Sequence, residues 1–145
     1  MRQKKKIVIL SGGFSEEKEV SKVSAYEIEK ALKTKNFETT LIDPSDFDSY
    51  CEMISKIKEI DPFIVFNGLH GAEGENGRIQ SLLSLNKILY TGSDYKASAI
   101  SMDKYLSGIL ADSIGIPIPN RLIINKQNSF SKKNIIEEIG FPMVI

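Results

Sequence analysis

Short apolar runs alternate with longer stretches of helical period from Lys6 to Tyr90, and this alternation narrows the fold more than any other feature of the chain. The strand candidates are KIVIL (6–10), FETTLID (37–43), PFIVF (62–66) and ILY (88–90). The first and third read as fully buried apolar runs, as the strands of a parallel sheet covered on both faces do. Between them, residues 20–33 carry Val23, Ile28, Ala31 and Leu32 on a broad apolar face, with Glu29, Lys30 and Lys33 outside. Tyr50, Met53, Ile54, Ile57 and Ile60 recur at the three-and-four spacing of a second buried stripe, and a third helix over about 77–85 turns Ile79, Leu82 and Leu83 inward. Strand and helix in strict order predict an α/β fold: a parallel sheet flanked by helices, joined by right-handed crossovers.

The pattern changes after Gly92. The stretch SDYKASAISMDKYLSGILADSIGIPIPN predicts a short helix and then a longer one starting near Asp103, ended by Gly115 and Pro117. A strand NRLIIN (120–125), a helix SKKNIIEEIG (131–140) and the opening of another strand, FPMVI (141–145), follow.

Composition excludes several classes of function. With 145 residues, 41% hydrophobic and 26% charged, the chain is in the range of a globular domain with a sizeable core. Lysine plus arginine equal aspartate plus glutamate at 19 each, so no overall field draws the chain to nucleic acid or an acidic membrane. Any charged ligand must be bound locally. The single cysteine, Cys51, rules out an internal disulfide and fits a reducing compartment. At the amino end MRQKKK is followed by only four apolar residues, Ile7 to Leu10, too few for a signal peptide or for the roughly 20 of a membrane span. The expectation is a cytoplasmic chain with no nucleic-acid or membrane partner.

Parallel sheets bind ligands beyond the carboxyl ends of their strands, where the strand order reverses. The loop after the first strand is SGGFSEEKEVS (11–21) and the loop after the third is NGLHGAEGENG (67–77). If strands one and three are neighbours, as in the flavodoxin-like order, the two loops face one crevice and make one site. The first loop has Gly12 and Gly13 adjacent, without the three spaced glycines that let a pyrophosphate reach the backbone. Its Glu16, Glu17 and Glu19 would repel a phosphate and attract an ammonium group; acids near a helix start also complement the macrodipole, which accounts for one or two of them. The second loop places Gly68, Gly71, Gly74 and Gly77 three residues apart around His70, the only histidine, and Glu75. Such a loop can fold closely around a ligand with a switchable donor and a fixed negative charge, although a lone histidine also serves as a structural hydrogen-bonder. One histidine, one cysteine and no ligand pair at helical spacing make a metal site unexpected.

The stretch HGAEGENGRIQS (70–81) resembles the signature of the D-alanine–D-alanine ligases, and SGGFSEEKEVS (11–21), YTGSDYKASAISMDK (90–104) and GIPIPN (115–120) agree with the same family in order. The resemblance implies a Rossmann-like amino-terminal, pre-ATP-grasp domain over residues 1–95. Residues 96–145 would then be the first part of an α+β ATP-grasp central domain. It implies a homodimeric enzyme that joins two D-alanines for peptidoglycan through an acyl phosphate, with ATP and magnesium. On the matching positions, Glu17 would hold the ammonium of the first D-alanine and His70 would lie beside the substrate carboxylates and acyl phosphate, these two being the catalytic pair. Glu75 would brace the substrate site and Lys104 would reach ATP. Glu73 stands where many relatives carry glycine or serine, and Asn76 replaces the commoner aspartate. Relatives need roughly twice this length, and the magnesium ligands fall outside the matched segments, so the 145-residue chain is expected to be inactive alone. The alternatives are a non-catalytic substrate-binding or dimerisation remnant of such a ligase and a nucleotide-binding Rossmann protein, the latter disfavoured by the acidic first loop.

Overall fold

KIVIL becomes β1 (Lys6–Leu10), and it is buried from Ile7 onward because a strand pairs with it on each side. The computed structural model describes residues 4–124 and 130–144. In it β2 (Glu38–Ile42) and β3 (Ile64–Asn67) both run parallel to β1, in the order β2-β1-β3. The register sets Leu10 beside Ile42 on one flank and beside Asn67 on the other. The first and third strands are thus neighbours, and their carboxyl ends leave the sheet side by side. The strand expected at ILY is only a single parallel bridge between Tyr90 and Val65, made by Val65 N–H to Leu89 O at 2.8 Å and Thr91 N–H to Val65 O at 3.0 Å. Lys87 in the left-handed region (φ 57°) and Gly92 (φ 102°) turn the backbone on either side, so no longer ladder forms.

Seven helices are described: α1 (Lys18–Thr34), α2 (Tyr50–Ile60), α3 (Ala72–Glu75), α4 (Arg78–Leu85), α5 (Tyr95–Met102), α6 (Lys104–Ser113) and α7 (Lys132–Ile139). Side chains alternate across β1, so each face of the sheet has its own core. Val8 and Leu10 pack with Ile42, Val65, Met53, Ile54 and Ile57 of α2, and Ile79 and Leu83 of α4. Ile7 and Ile9 meet Ala25, Ile28 and Leu32 of α1 on the other face. The inward stripe of α1 is therefore Ser21, Ala25, Ile28 and Leu32. Val23, assigned to that stripe from the sequence, is 67% exposed, and Ala31 is exposed as well. Small residues decide the choice: Ser21 and Ala25, both fully buried, let the helix axis approach the sheet. Val23, two residues from each at 100° per residue, is carried to the far side.

The chain forms two compact units, residues 1–107 and 108–145. In the second, SKKNIIEEIG forms α7, whose cap Ser131 accepts from Asn134 N–H at 3.2 Å. The two strands expected there do not appear over Arg121–Ile124 or Phe141–Val144; Asn125 and Ile145 lie outside the described residues. A strand needs a partner for its backbone groups, and among the described residues of this unit no strand offers one. Among the described residues no helix is long and apolar enough to cross a membrane.

Where β2 ends, one carboxylate joins two loops. Asp43 Oδ1 accepts from Gly13 N–H (2.9 Å), Ser45 N–H (2.9 Å) and Ser45 Oγ (2.7 Å), and Oδ2 lies 3.5 Å from Lys18 Nζ. Burial works against the charge on Asp43, but the donors from Gly13 and Ser45 and the nearby Lys18 outweigh it and hold the carboxyl below its ordinary value of 3.8. A depressed folded-state pKa means the stabilisation is full above the unfolded value and fades as pH falls through the lower, folded one. Replacing Asp43 by Ala is expected to cost about 1–3 kcal/mol at neutral pH, read from urea denaturation. The gap between parent and variant should narrow only below about pH 4; a gap independent of pH down to acid unfolding would show that the charge contributes nothing.

Candidate active site

The loops at the carboxyl ends of β1 and β3 are fastened to each other by serine hydroxyls. Ser21, buried in the first turn of α1, accepts from Gly12 N–H at 2.9 Å and donates to Gly68 O at 2.7 Å, so one hydroxyl spans both loops. Gly68 N–H in turn donates to Leu10 O at 3.0 Å. Ser15 Oγ donates to His70 O at 2.6 Å and accepts from Glu17 N–H at 3.2 Å. Ser24, one turn beyond Ser21, meets His70 Nε2 at 3.2 Å. The first loop can turn this sharply because Gly12 and Gly13 adopt φ of 77° and 85°. A methyl group on Gly12 would also run into the Asp43 carboxylate.

The second loop is not irregular throughout. Residues Ala72–Glu75 form the short α3, which the glycine spacing does not foretell. Gly74 O at its centre accepts from Asn67 Nδ2 at 2.8 Å and from Gln80 Nε2 at 2.7 Å, tying the loop to β3 and α4. Gln80 is buried, and its Oε1 has no partner among the described residues.

Of the four residues singled out from the sequence, Glu17 and His70 lie on the two joined loops. Glu17 immediately precedes α1, and a Cβ built on Gly71 would lie 3.5 Å from its Oε1, so the carboxylate stands beside the residue that follows His70. His70 is half-buried and borders a cleft of about 10 Å³ with Gly12, Gly13, Phe14, Tyr50 and Glu73, room for about one water molecule. Glu75 is exposed and borders a larger groove of about 600 Å³ with Asn67, Gln80, Thr91, Ser98 and Met102. Lys104 opens α6, exposed, after Asp103, whose Oδ1 accepts from Tyr105 N–H and Leu106 N–H at 2.9 Å each. It lines neither cavity. Glu73 lies 3.4 Å from Arg78 Nη1, which offsets its charge.

Sequence reasoning passed over Ser15, Ser21, Ser24, Asp43 and Tyr50. The three-residue step from Ser21 to Ser24 puts both hydroxyls near one helix face and was visible in EVSKVS, but nothing local shows that a second loop would arrive there. Tyr50 was assigned to the inner stripe of its helix. It lies instead at the exposed start of α2, its ring edge-on to Phe14 with centroids 6.4 Å apart. Burial, with the Glu73 charge adding to it, pushes the Tyr50 hydroxyl above its ordinary value. Among the described residues no three His, Cys, Asp or Glu side chains gather into a metal site.

No family model matches the chain. Its sequence is 37% identical over 132 residues to the D-alanine–D-alanine ligase of Zymomonas mobilis, covering 91% of this chain and 40% of that protein. The enzyme of the same name from Neisseria gonorrhoeae is 37% identical over 140 residues, 97% of this chain and 44% of the relative. Among solved structures, the D-alanine–D-alanine ligase of Bacillus anthracis complexed with ATP matches with a TM-score of 0.80 at 28% identity, over 93% of this chain and 43% of that one. The D-alanyl-alanine synthetase A of Vibrio cholerae matches with a TM-score of 0.63 at 32% identity, over 81% of this chain and 39% of that one. The chain is thus homologous to these ligases along nearly its whole length, and it spans less than half the length of the curated relatives it matches.

The geometry makes the hydroxyl of Ser21 the joint between the two loops. Ser21→Ala leaves Gly12 N–H and Gly68 O buried without that partner and is expected to cost about 1–3 kcal/mol in urea denaturation. Amide exchange at Gly12 should accelerate at the same time. Unchanged stability and unchanged exchange at Gly12 would mean the loops are held by other contacts.

Proposed function

We propose, from this homology to the D-alanine–D-alanine ligases and from the joined loops, that the chain is the amino-terminal portion of an ATP-dependent ligase that makes D-alanyl-D-alanine for peptidoglycan. Residues 1–95 would be its substrate-binding domain and residues 96–145 the start of its ATP-grasp domain. The observation that carries the reading is the convergence of Glu17 on the loop of His70 at the carboxyl ends of two neighbouring parallel strands. A small zwitterion has one positive and one negative end. Glu17 supplies a carboxylate for the ammonium, and the ring of His70, the residue before Gly71, supplies a donor for an anionic oxygen.

In this reading ATP supplies the phosphoryl group that activates the carboxylate of the first D-alanine, and the amine of the second displaces phosphate to form the amide. The chain's own part is to bind and orient the first substrate: Glu17 fixes its ammonium end, His70 faces its carboxylate, and Glu75 braces the loop between them. Lys104 is assigned to the phosphates of ATP. Among the described residues the acidic side chains do not gather into a set for magnesium, and no step is assigned to that cation. A cytoplasmic location and a homodimeric assembly are what the likeness to the ligases leads us to assign, and the equal numbers of acidic and basic residues leave charge recognition to local groups.

Calorimetric titration tests the reading. D-alanine is expected to bind the 145-residue chain weakly, with L-alanine weaker still, and Glu17→Ala should remove the binding. With ATP, magnesium and D-alanine the chain alone should release no ADP in a coupled assay. D-alanine binding undiminished by Glu17→Ala, or no preference for the D form, would overturn the assignment.

A further inference from the structure

Three serines approach the histidine loop, and two of them have a clear use for their proton. Ser15 Oγ donates to His70 O and Ser21 Oγ donates to Gly68 O, which fixes the main chain of the loop. Ser24 Oγ meets only the ring, at Nε2, 3.2 Å away, and has no carbonyl partner among the described residues. Its proton is therefore best placed on Nε2. A neutral imidazole with Nε2 accepting carries its own proton on Nδ1, and Nδ1 has no partner among the described residues.

We infer that Ser24 is a positioning residue: by donating to Nε2 it holds His70 as the Nδ1–H tautomer, so that the ring presents an N–H donor to an anionic oxygen of the ligand. Free histidine favours the opposite tautomer, so the protein must supply the bias. With the carbonyl of His70 held by Ser15 and the ring nitrogen held by Ser24, both ends of the residue are set before any ligand arrives. The tautomer is inferred from the Ser24–Nε2 contact alone, and the ligand's anionic oxygen rests on the ligase reading above.

Because His70 is the only histidine, the ring nitrogens give one unambiguous set of signals in long-range proton–nitrogen correlation spectra. At a pH where the ring is neutral by its own titration, the 145-residue chain is expected to show a protonated Nδ1 and an unprotonated Nε2. Ser24→Ala should shift the balance towards Nε2–H, and Ser24→Thr, which keeps the hydroxyl, should restore the parent pattern. Ser24→Ala lies on a helix and raises helix propensity, so an unaltered amide spectrum should accompany it. Nε2–H dominating in the parent, a reading that needs no variant, overturns the inference, and so does a tautomer unchanged by Ser24→Ala. Titrating D-alanine into the same samples separates the two claims. Binding about threefold to tenfold weaker in Ser24→Ala, the effect of one neutral hydrogen bond, supports the ligand-facing role. Absence of binding to the parent overturns the ligase reading and that role together, while the tautomer result stands or falls alone.

Discussion

Parallel pairing of β1 with both β2 and β3 decides where chemistry can happen in this chain. Parallel neighbours cannot be joined by tight turns, so each strand hands the chain to a crossover and all three carboxyl ends open at one edge of the sheet. The backbone groups there have left the ladder and need new partners. Gly12 N–H, Gly13 N–H, Gly68 O and His70 O are such groups, and side chains answer each of them: Ser21 for Gly12 and Gly68, Asp43 for Gly13, Ser15 for His70. The partners come from different parts of the sequence, so satisfying the backbone also joins the loops. The site is a by-product of that requirement.

The same requirement explains the glycines. A left-handed turn at Gly12 and Gly13 brings their amides towards Ser21 and Asp43, and at Gly12 the carboxylate occupies the space a side chain would need. Across the crevice, a Cβ on Gly68 would lie 2.7 Å from Leu10 O, closer than two such atoms come. Glycine at these positions therefore reports close backbone packing as much as ligand contact. The narrow cleft beside His70 agrees with this: the two loops lie almost against each other.

How much of this was legible in the sequence depends on the range of the interaction. The central strand, the stripe of α2 from Met53 to Ile60 and the start of α4 follow from local periodicity, since the apolar spacing there says which side faces the sheet; Tyr50 at the head of that stripe does not. The same rule misplaced Val23, because in α1 the contact is made by Ser21 and Ala25, and small residues carry little hydropathic signal. ILY reads as a strand and is one bridge, because strand length depends on the backbone turns at Lys87 and Gly92 rather than on three apolar residues. Glu17 and His70 stood out through charge and rarity. The serines did not, since a hydroxyl's role is set by which carbonyl comes within reach, and that is a property of the strand order.

At Glu17 the structure shows a helix start satisfied by a neighbour of the acid that precedes it. An acid at a helix start is ordinarily a cap or a partner for the macrodipole. Before α2, α5 and α7 the residue in that position does cap: Ser49, Asp94 and Ser131 each accept from a backbone N–H of the helix they precede. Glu17 holds the same position before α1 and its side chain caps nothing. Ser15 takes over instead, its Oγ accepting from Glu17 N–H and its carbonyl from Lys18 N–H at 3.2 Å. The carboxylate is thereby released from helix-capping duty and stands beside Gly71. A neighbouring serine thus satisfies the helix start, and the Glu17 carboxylate is left beside the histidine loop, where the ligase reading proposed above assigns it to the ammonium of the substrate.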